Sequence, residues 1–267
     1  MKEKFIVSVF RGVILCTLFI FAGYLLFINR SVPPMSESAF MDLCFEGSSK
    51  QINDAIKGGA KVNARDKEGF TPLMWAAMNK TSNLEMITAL INAGADVKAN
   101  KDGYTPLMWA AMNENTDPEV ITALINSGAD VNAKNIKGFT PLMCAVSCVF
   151  TISESVTALI DAGADVNAKT VNEGWTSLMM AARSNSDPRA LISAGADVNA
   201  KDNDGRTPLM IAAYNNPNPE MITILLNAGA DPKAKDNSGK MAIDYAKENK
   251  SLENTEALRI LEEKTGI

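Results

Sequence analysis

The string Thr-Pro-Leu-Met occurs at Thr71, Thr105, Thr140 and Thr207, with Thr-Ser-Leu-Met at Thr176. A second string follows each of them: Gly-Ala-Asp-Val at Gly94, Gly128, Gly163 and Gly195, and Gly-Ala-Asp-Pro at Gly229. Gly59-Ala60-Lys61-Val62 is a variant ahead of the first. Counting on to Met241, successive units lie 34, 35, 36, 31 and 34 residues apart. A chain built this way folds as a stack, because each unit is too small to bury its own apolar face and only a neighbouring copy covers it.

The residues specify the unit. Thr caps a helix start, and Pro follows at the first turn, where its missing N–H costs nothing. Leu73, Ala76 and Ala77 then share one face of a short helix, and the Ala pair lets the next helix approach closely. A second helix runs from about Glu85 to Asn92, with Met86, Ile87, Leu90 and Ile91 at helical spacing. Asp117-Pro118, Asp187-Pro188 and Asn218-Pro219 mark the second helix in later units. Gly94 supplies a left-handed C-cap. The chain then returns to the next Thr through a hairpin-like loop that carries a Gly just before its end (Gly69, Gly103, Gly138, Gly174, Gly205, Gly239).

These linked motifs resemble the ankyrin repeat family, whose unit is about 33 residues long with a Thr-Pro-Leu-His start. The resemblance covers about residues 37–267. It implies an all-α solenoid of about seven stacked helix-turn-helix repeats with hairpin loops, at roughly 37–69, 70–103, 104–138, 139–174, 175–205, 206–239 and 240–267. The departure is that Met74, Met108, Met143, Met179 and Met210 stand where the family has His. That His hydrogen-bonds neighbouring repeats together in the family, so apolar packing is expected to carry more of the stacking here.

Spacing locates the irregularities. Asp187-Pro188 to Gly195 is three residues shorter than Asp117-Pro118 to Gly128, so the second helix of the Thr176 unit should lose nearly a turn and alter the stacking there. The ends are atypical, as end caps should be: Phe40 to Gly47 opens the array without Thr-Pro-Leu, and the unit from Met241 closes it with Glu262-Glu263-Lys264.

Ahead of the array, about residues 5–28 are almost wholly apolar, and 1–36 carry +3 against −8 for the rest. The uninterrupted part, Gly12 to Ile28, makes a helix of about 25 Å, near the lower limit for a membrane span. Lys2, Lys4 and Arg11 precede it and Arg30 follows, which expects a single-pass signal anchor with the N-terminus in the cytoplasm and the repeats periplasmic or extracellular. The alternative is a secretion signal cleaved near Ala22-Gly23, leaving a periplasmic protein. Ser31 to Ser36 reads as a short extended linker.

No His is present, which excludes Ser-His and Cys-His nucleophile pairs, imidazole bases and His-containing zinc sites. The acidic body speaks against a phosphate backbone as ligand. The Met column and the Cys144/Cys148 pair are soft ligands, but the Met residues stand one per unit, about 10 Å apart, and do not converge on one metal. Neither catalytic residue, cofactor, small-molecule substrate nor metal site is expected. The expected role is a non-enzymatic protein–protein interaction scaffold on the membrane; the alternative is an accessory or inhibitory subunit of a membrane or periplasmic enzyme.

Two stripes are candidates for partner binding. The residue after each loop Gly is Phe70, Tyr104, Phe139 and Trp175, then Arg206 and Lys240, a ladder along one edge. On the first helices, Trp75, Met78 and Asn79, then Trp109, Met112 and Asn113, would line what the resemblance makes a concave face. The opposing reading has Trp75 and Trp109 stacked on each other as core.

Overall fold

The computed structural model describes residues 35–80, 84–147 and 153–266. The expected membrane span and Cys148 lie outside the described residues. Within them the chain forms fourteen α-helices and one short 3-10 turn, with no strand. The first helices of the seven pairs are α1 (Glu37–Glu46), α3 (Pro72–Met78), α5 (Pro106–Met112), α7 (Pro141–Ser147), α9 (Ser177–Ser184), α11 (Pro208–Asn215) and α13 (Ala242–Glu248). Each packs on the next to make an inner row. The second helices form the outer row: α2 (Ser49–Lys57), α4 (Leu84–Asn92), α6 (Pro118–Asn126), α8 (Ser153–Asp161), α10 (Arg189–Ser193), α12 (Pro219–Asn227) and α14 (Glu256–Thr265).

The Thr side chains cap the inner helices as the sequence requires. Thr71, Thr105, Thr140, Thr176 and Thr207 accept from the backbone N–H of Met74, Met108, Met143, Met179 and Met210 at 3.3–3.4 Å. Each cap stabilises its helix by about 1 kcal/mol. Those five Met side chains are themselves almost fully buried and run as a column between the rows. Burying each contributes about 1.5–3 kcal/mol. Gly94 ends α4 at φ +88°, a left-handed value that only Gly adopts freely.

The shortened unit is present as expected. The outer helix α10 has five residues where α8 and α12 have nine, and it buries Leu191 where α12 buries Met221, Ile222 and Leu225.

Apolar packing is expected to carry more of the stacking, and beside the buried Met column two ladder-like sets of amides also cross from unit to unit. At the end of the inner helices, Asn79 Nδ2 donates to the Cys44 and Gly47 carbonyls at 3.1 and 3.3 Å. Asn113 Nδ2 donates to Ala77 and Asn79, Asn216 to Ala182, and Asn249 to Ala213 and Asn216. In the loops, Asn63 Nδ2 donates to the Gly94 carbonyl while its Oδ1 accepts from Asp96 N–H, both at 2.8 Å. Asn132, Asn167 and Asn199 repeat this clamp on the next unit. Lys98 occupies the same place after Gly94 and has no amide to offer.

Candidate functional site

The loops project from the inner row as fingers, and the residue after each loop Gly lies at the base of its finger, facing the first turn of an inner helix. In the first two full units this brings four rings together. Phe70 lies between Trp75 and Trp109, with centroids 4.9 and 5.7 Å away. Tyr104 stacks on Trp109 at 5.0 Å, and Phe45 of α1 meets Trp75 edge-on at 5.3 Å. The row Phe45, Trp75, Phe70, Trp109, Tyr104 is continuous, and each ring is only half-buried. Ring pairs at these separations stabilise one another by about 0.5–1.5 kcal/mol beyond their burial, so the row is held in place by its own contacts.

Five cavities of 230 to 550 Å³ open between the fingers and the inner helices, and no outer-helix residue lines any of them. These five cavities therefore share one side of the described array. They begin at α1 with Phe45 and Trp75, pass Phe70, Tyr104 and Trp109, then Phe139 and Trp175, and end at Tyr214 and Tyr245.

A carboxylate at the finger base holds several of these side chains. Asp66 accepts from the Glu68 and Phe70 backbone with one oxygen and from Trp75 Nε1 at 2.8 Å with the other. Asp236 does the same in the finger that leads into α13, accepting from Ser238 and Lys240 and from the Tyr245 hydroxyl at 2.5 Å. Burial presses the Asp236 carboxyl upward, but the Tyr245 and Ser238 hydroxyls and the backbone N–H groups outweigh it and hold it at about 2. Burial and the bond to Asp236 push the Tyr245 phenol up to about 12. In the finger that leads into α11 the buried Asp202 carboxylate instead takes Arg206 Nε at 2.9 Å.

The second unit breaks this pattern. Its finger is one residue shorter, so Lys101 N–H bonds the Tyr104 carbonyl where Asp66 N–H bonds that of Phe70. Asp102 and Gly103 take φ +52° and +80° in a two-residue turn, and a Cβ on Gly103 would meet Asn135 Cα at 2.5 Å. With Lys101 at the finger base no carboxylate among the described residues accepts from Trp109, whose Nε1 is buried without a hydrogen-bond partner.

The profile of ankyrin repeats in three copies matches residues 40–135 and again 114–202, and that of ankyrin repeats in many copies matches 191–246. The chain belongs to the ankyrin repeat family. Ankyrin repeats are generally non-enzymatic interaction modules that bind other proteins. A search of the curated proteins finds no match. Among the described residues of this ankyrin array, no group of three or more His, Cys, Asp or Glu side chains is placed to hold a metal ion. None of the described helices is long and apolar enough to cross a membrane.

Of the residues singled out in the sequence, Phe70, Trp75, Tyr104 and Trp109 come together in one ring cluster. Phe139 and Trp175 meet farther along the ankyrin groove, lining two shared cavities with Met180 and Arg183, whose guanidinium carbon lies 5.4 Å from the Trp175 ring centre. Met78 and Met112 are half-buried. Asn79 and Asn113 do not join them. Asn79 is 2% exposed, and both amides are spent on the carbonyls of the preceding unit, so these two residues hold the array together and present no amide to a partner. Nor do Trp75 and Trp109 stack on each other, because Phe70 stands between them.

Sequence reasoning passed over Phe45 and Asp66. Phe45 sits in the atypical first unit, outside the repeat register. Asp66 had a signal: Asp or Asn recurs five residues before the unit start at Asp66, Asn100, Asn135, Asp202 and Asp236.

Proposed function

We propose that the array is a non-enzymatic scaffold that grips a partner protein in its concave groove, centred between Gly69 and Trp175. The observation that carries this is the continuous, half-exposed row Phe45, Trp75, Phe70, Trp109, Tyr104 on the side where the cavities open. Aromatic anchors at the centre of a patch are where interfaces concentrate their energy, typically about 2 kcal/mol or more per residue on truncation. The proposed binding residues are Phe70, Trp75, Met78, Tyr104, Trp109, Met112, Phe139 and Trp175, together with Phe45.

Capture of partners by the full-length chain, compared with Trp109→Ala, tests the reading. Binding should fall at least tenfold in a variant that keeps its helical signal. Undiminished capture by a well-folded Trp109→Ala chain would remove the groove from consideration.

The apolar stretch at about 5–28 and the basic residues before it support a further part of the proposal: one membrane span, with the repeats on the outer face of a cytoplasmic membrane. Reporters fused after Ile267 decide this part. A periplasm-active reporter should work and a cytoplasmic one stay dark; the reverse pattern sinks it, and a mature chain starting near Gly23 would convert anchor to cleaved signal.

A further inference from the structure

A cavity of 550 Å³ lies in the first unit of the array, between α1, the first finger and α3. That volume falls within the roughly 300–1,000 Å³ typical of ligand-binding clefts. Phe45 and Trp75 form its apolar wall, fixed edge to face, and Met41 lies behind them. Its polar rim is acidic. Asp42, Asp66 and Glu68 all line it, and no cation pairs with any of the three among the described residues. Two cations also line the cavity. Arg65 is committed elsewhere, its Nη1 donating to the Gly69 and Asn100 carbonyls at 2.8 and 3.1 Å, where it ties the first finger to the second. Lys67 is exposed on the finger itself. The fourth acid, Glu37, is bridged outward to Lys61 at 2.7 Å.

Ring faces carry negative charge density, and carboxylates around them reinforce it, so an apolar-walled cleft of this kind favours a cation with a hydrocarbon stem. Glu68 lines both this cavity and the adjoining 410 Å³ cavity beside Phe70, Tyr104 and Trp109, so the acidic rim runs directly into the aromatic groove. We infer that the first-unit cavity receives a lysine or arginine side chain from a basic segment of the partner protein, whose apolar residues continue along the rings. This rests on the scaffold reading above and names the chemistry of what the scaffold holds.

The test uses the full-length chain in a non-ionic detergent and two fluorescent peptides, acetyl-Gly-Arg-Gly-Lys-Gly-Arg-Gly-amide and its counterpart with Glu at each charged place. The basic peptide should bind saturably and the acidic one should not. Asp42→Asn with Glu68→Gln should weaken the basic peptide at least tenfold. Glu114→Gln with Glu253→Gln removes the same charge from exposed positions away from the cavity and should change binding less than twofold. Phe45→Leu should weaken binding with the net charge untouched and the melting curve preserved. Absence of saturation, or equal losses in the two charge-matched double variants, would overturn the inference, the latter because only the overall charge would then be felt. If a protein partner that Trp109→Ala loses still binds the Asp42→Asn, Glu68→Gln chain undiminished, the cavity assignment fails and the scaffold stands. If the basic peptide binds as described but no protein is ever captured, the scaffold fails and the cavity's preference for a cation stands.

Discussion

Trp75 donates its indole N–H to the Asp66 carboxylate at 2.8 Å, across the nine residues that separate finger base from inner helix. The neighbouring Trp109 has no such acceptor and keeps its N–H buried and unpaired. The two tryptophans should therefore respond differently to the same change. Trp75→Phe loses a charge-assisted bond and should cost about 1–2 kcal/mol, whereas Trp109→Phe deletes an orphan donor and should cost less than about 1 kcal/mol. Urea unfolding of the two variants checks this, and equal midpoints would show that the bond to Asp66 contributes nothing.

Lys98 interrupts the loop clamp that Asn63, Asn132, Asn167 and Asn199 make with the following unit. The local backbone is the same: Lys98 N–H bonds Asp96 Oδ1 at 2.9 Å, as Asn132 N–H bonds Asp130 Oδ1. Lys98→Asn should complete the clamp onto Gly128 and Asp130, adding two hydrogen bonds and about 1–2 kcal/mol. The melting temperature should rise by roughly 2–6 °C. A calorimetric scan showing no rise, or a fall, counts against the clamp as a stabilising device.

Asn79 is the buried member of the inner ladder. Asn79→Ala leaves the Cys44 and Gly47 carbonyls without their donor and should cost roughly 2–3 kcal/mol, since unsatisfied buried groups lose their full desolvation penalty. Its melting temperature should fall by at least about 4 °C, with the loss centred on the first two units. Hydrogen exchange along α1 and α3 reads this directly: unchanged protection there would make the amide dispensable.

The Tyr245–Asp236 pair gives the array a pH signature at both extremes. Tyr245 has its pKa raised to about 12 from the usual 10, so its share of stability is complete below pH 10 and is lost as pH climbs from 10 to 12. Asp236 has its pKa lowered to about 2 from 3.8, so its share is complete above pH 4 and is lost as pH falls towards 2. Tyr245→Phe should remove the pair's alkaline contribution and let the Asp236 carboxyl titrate closer to its ordinary range. Unfolding curves at pH 9 and 11.5 for both chains decide it; an identical alkaline loss in Tyr245→Phe would place that loss elsewhere.

The stack was legible because its signals recur. Thr caps, Pro at the first turn, the buried Met column and the left-handed Gly94 each follow from residue chemistry repeated unit by unit, and so does the short α10, which is a simple deletion. The aromatic side was legible as two stripes, and the structure merges them, since Phe70 inserts between Trp75 and Trp109. That insertion depends on how far a finger leans over the helix beside it, a distance that side-chain periodicity does not encode. Asn79 was misassigned for a related reason. An Asn at a helix end reads as a polar surface residue until the carbonyls of the preceding unit are seen to converge on it. Phe45 escaped because the opening unit has no partner copy to align with.

The joints that lead into α3 and α11 are each made by amides that point in opposite directions along the chain, Asn79 with Asn63 and Asn216 with Asn199. An inner-ladder Asn, such as Asn113, reaches back to the unit before it, and a loop Asn, such as Asn132, reaches forward to the unit after it. A unit bearing both therefore carries everything needed to join whatever stands on either side, provided those neighbours supply only backbone carbonyls and an N–H. Tandem duplication of such a stretch yields a longer chain whose new seams are already chemically complete. The length of the array is thus free to drift under recombination, and with it the length of the groove, while the end units, which carry only half of this equipment, stay where they are.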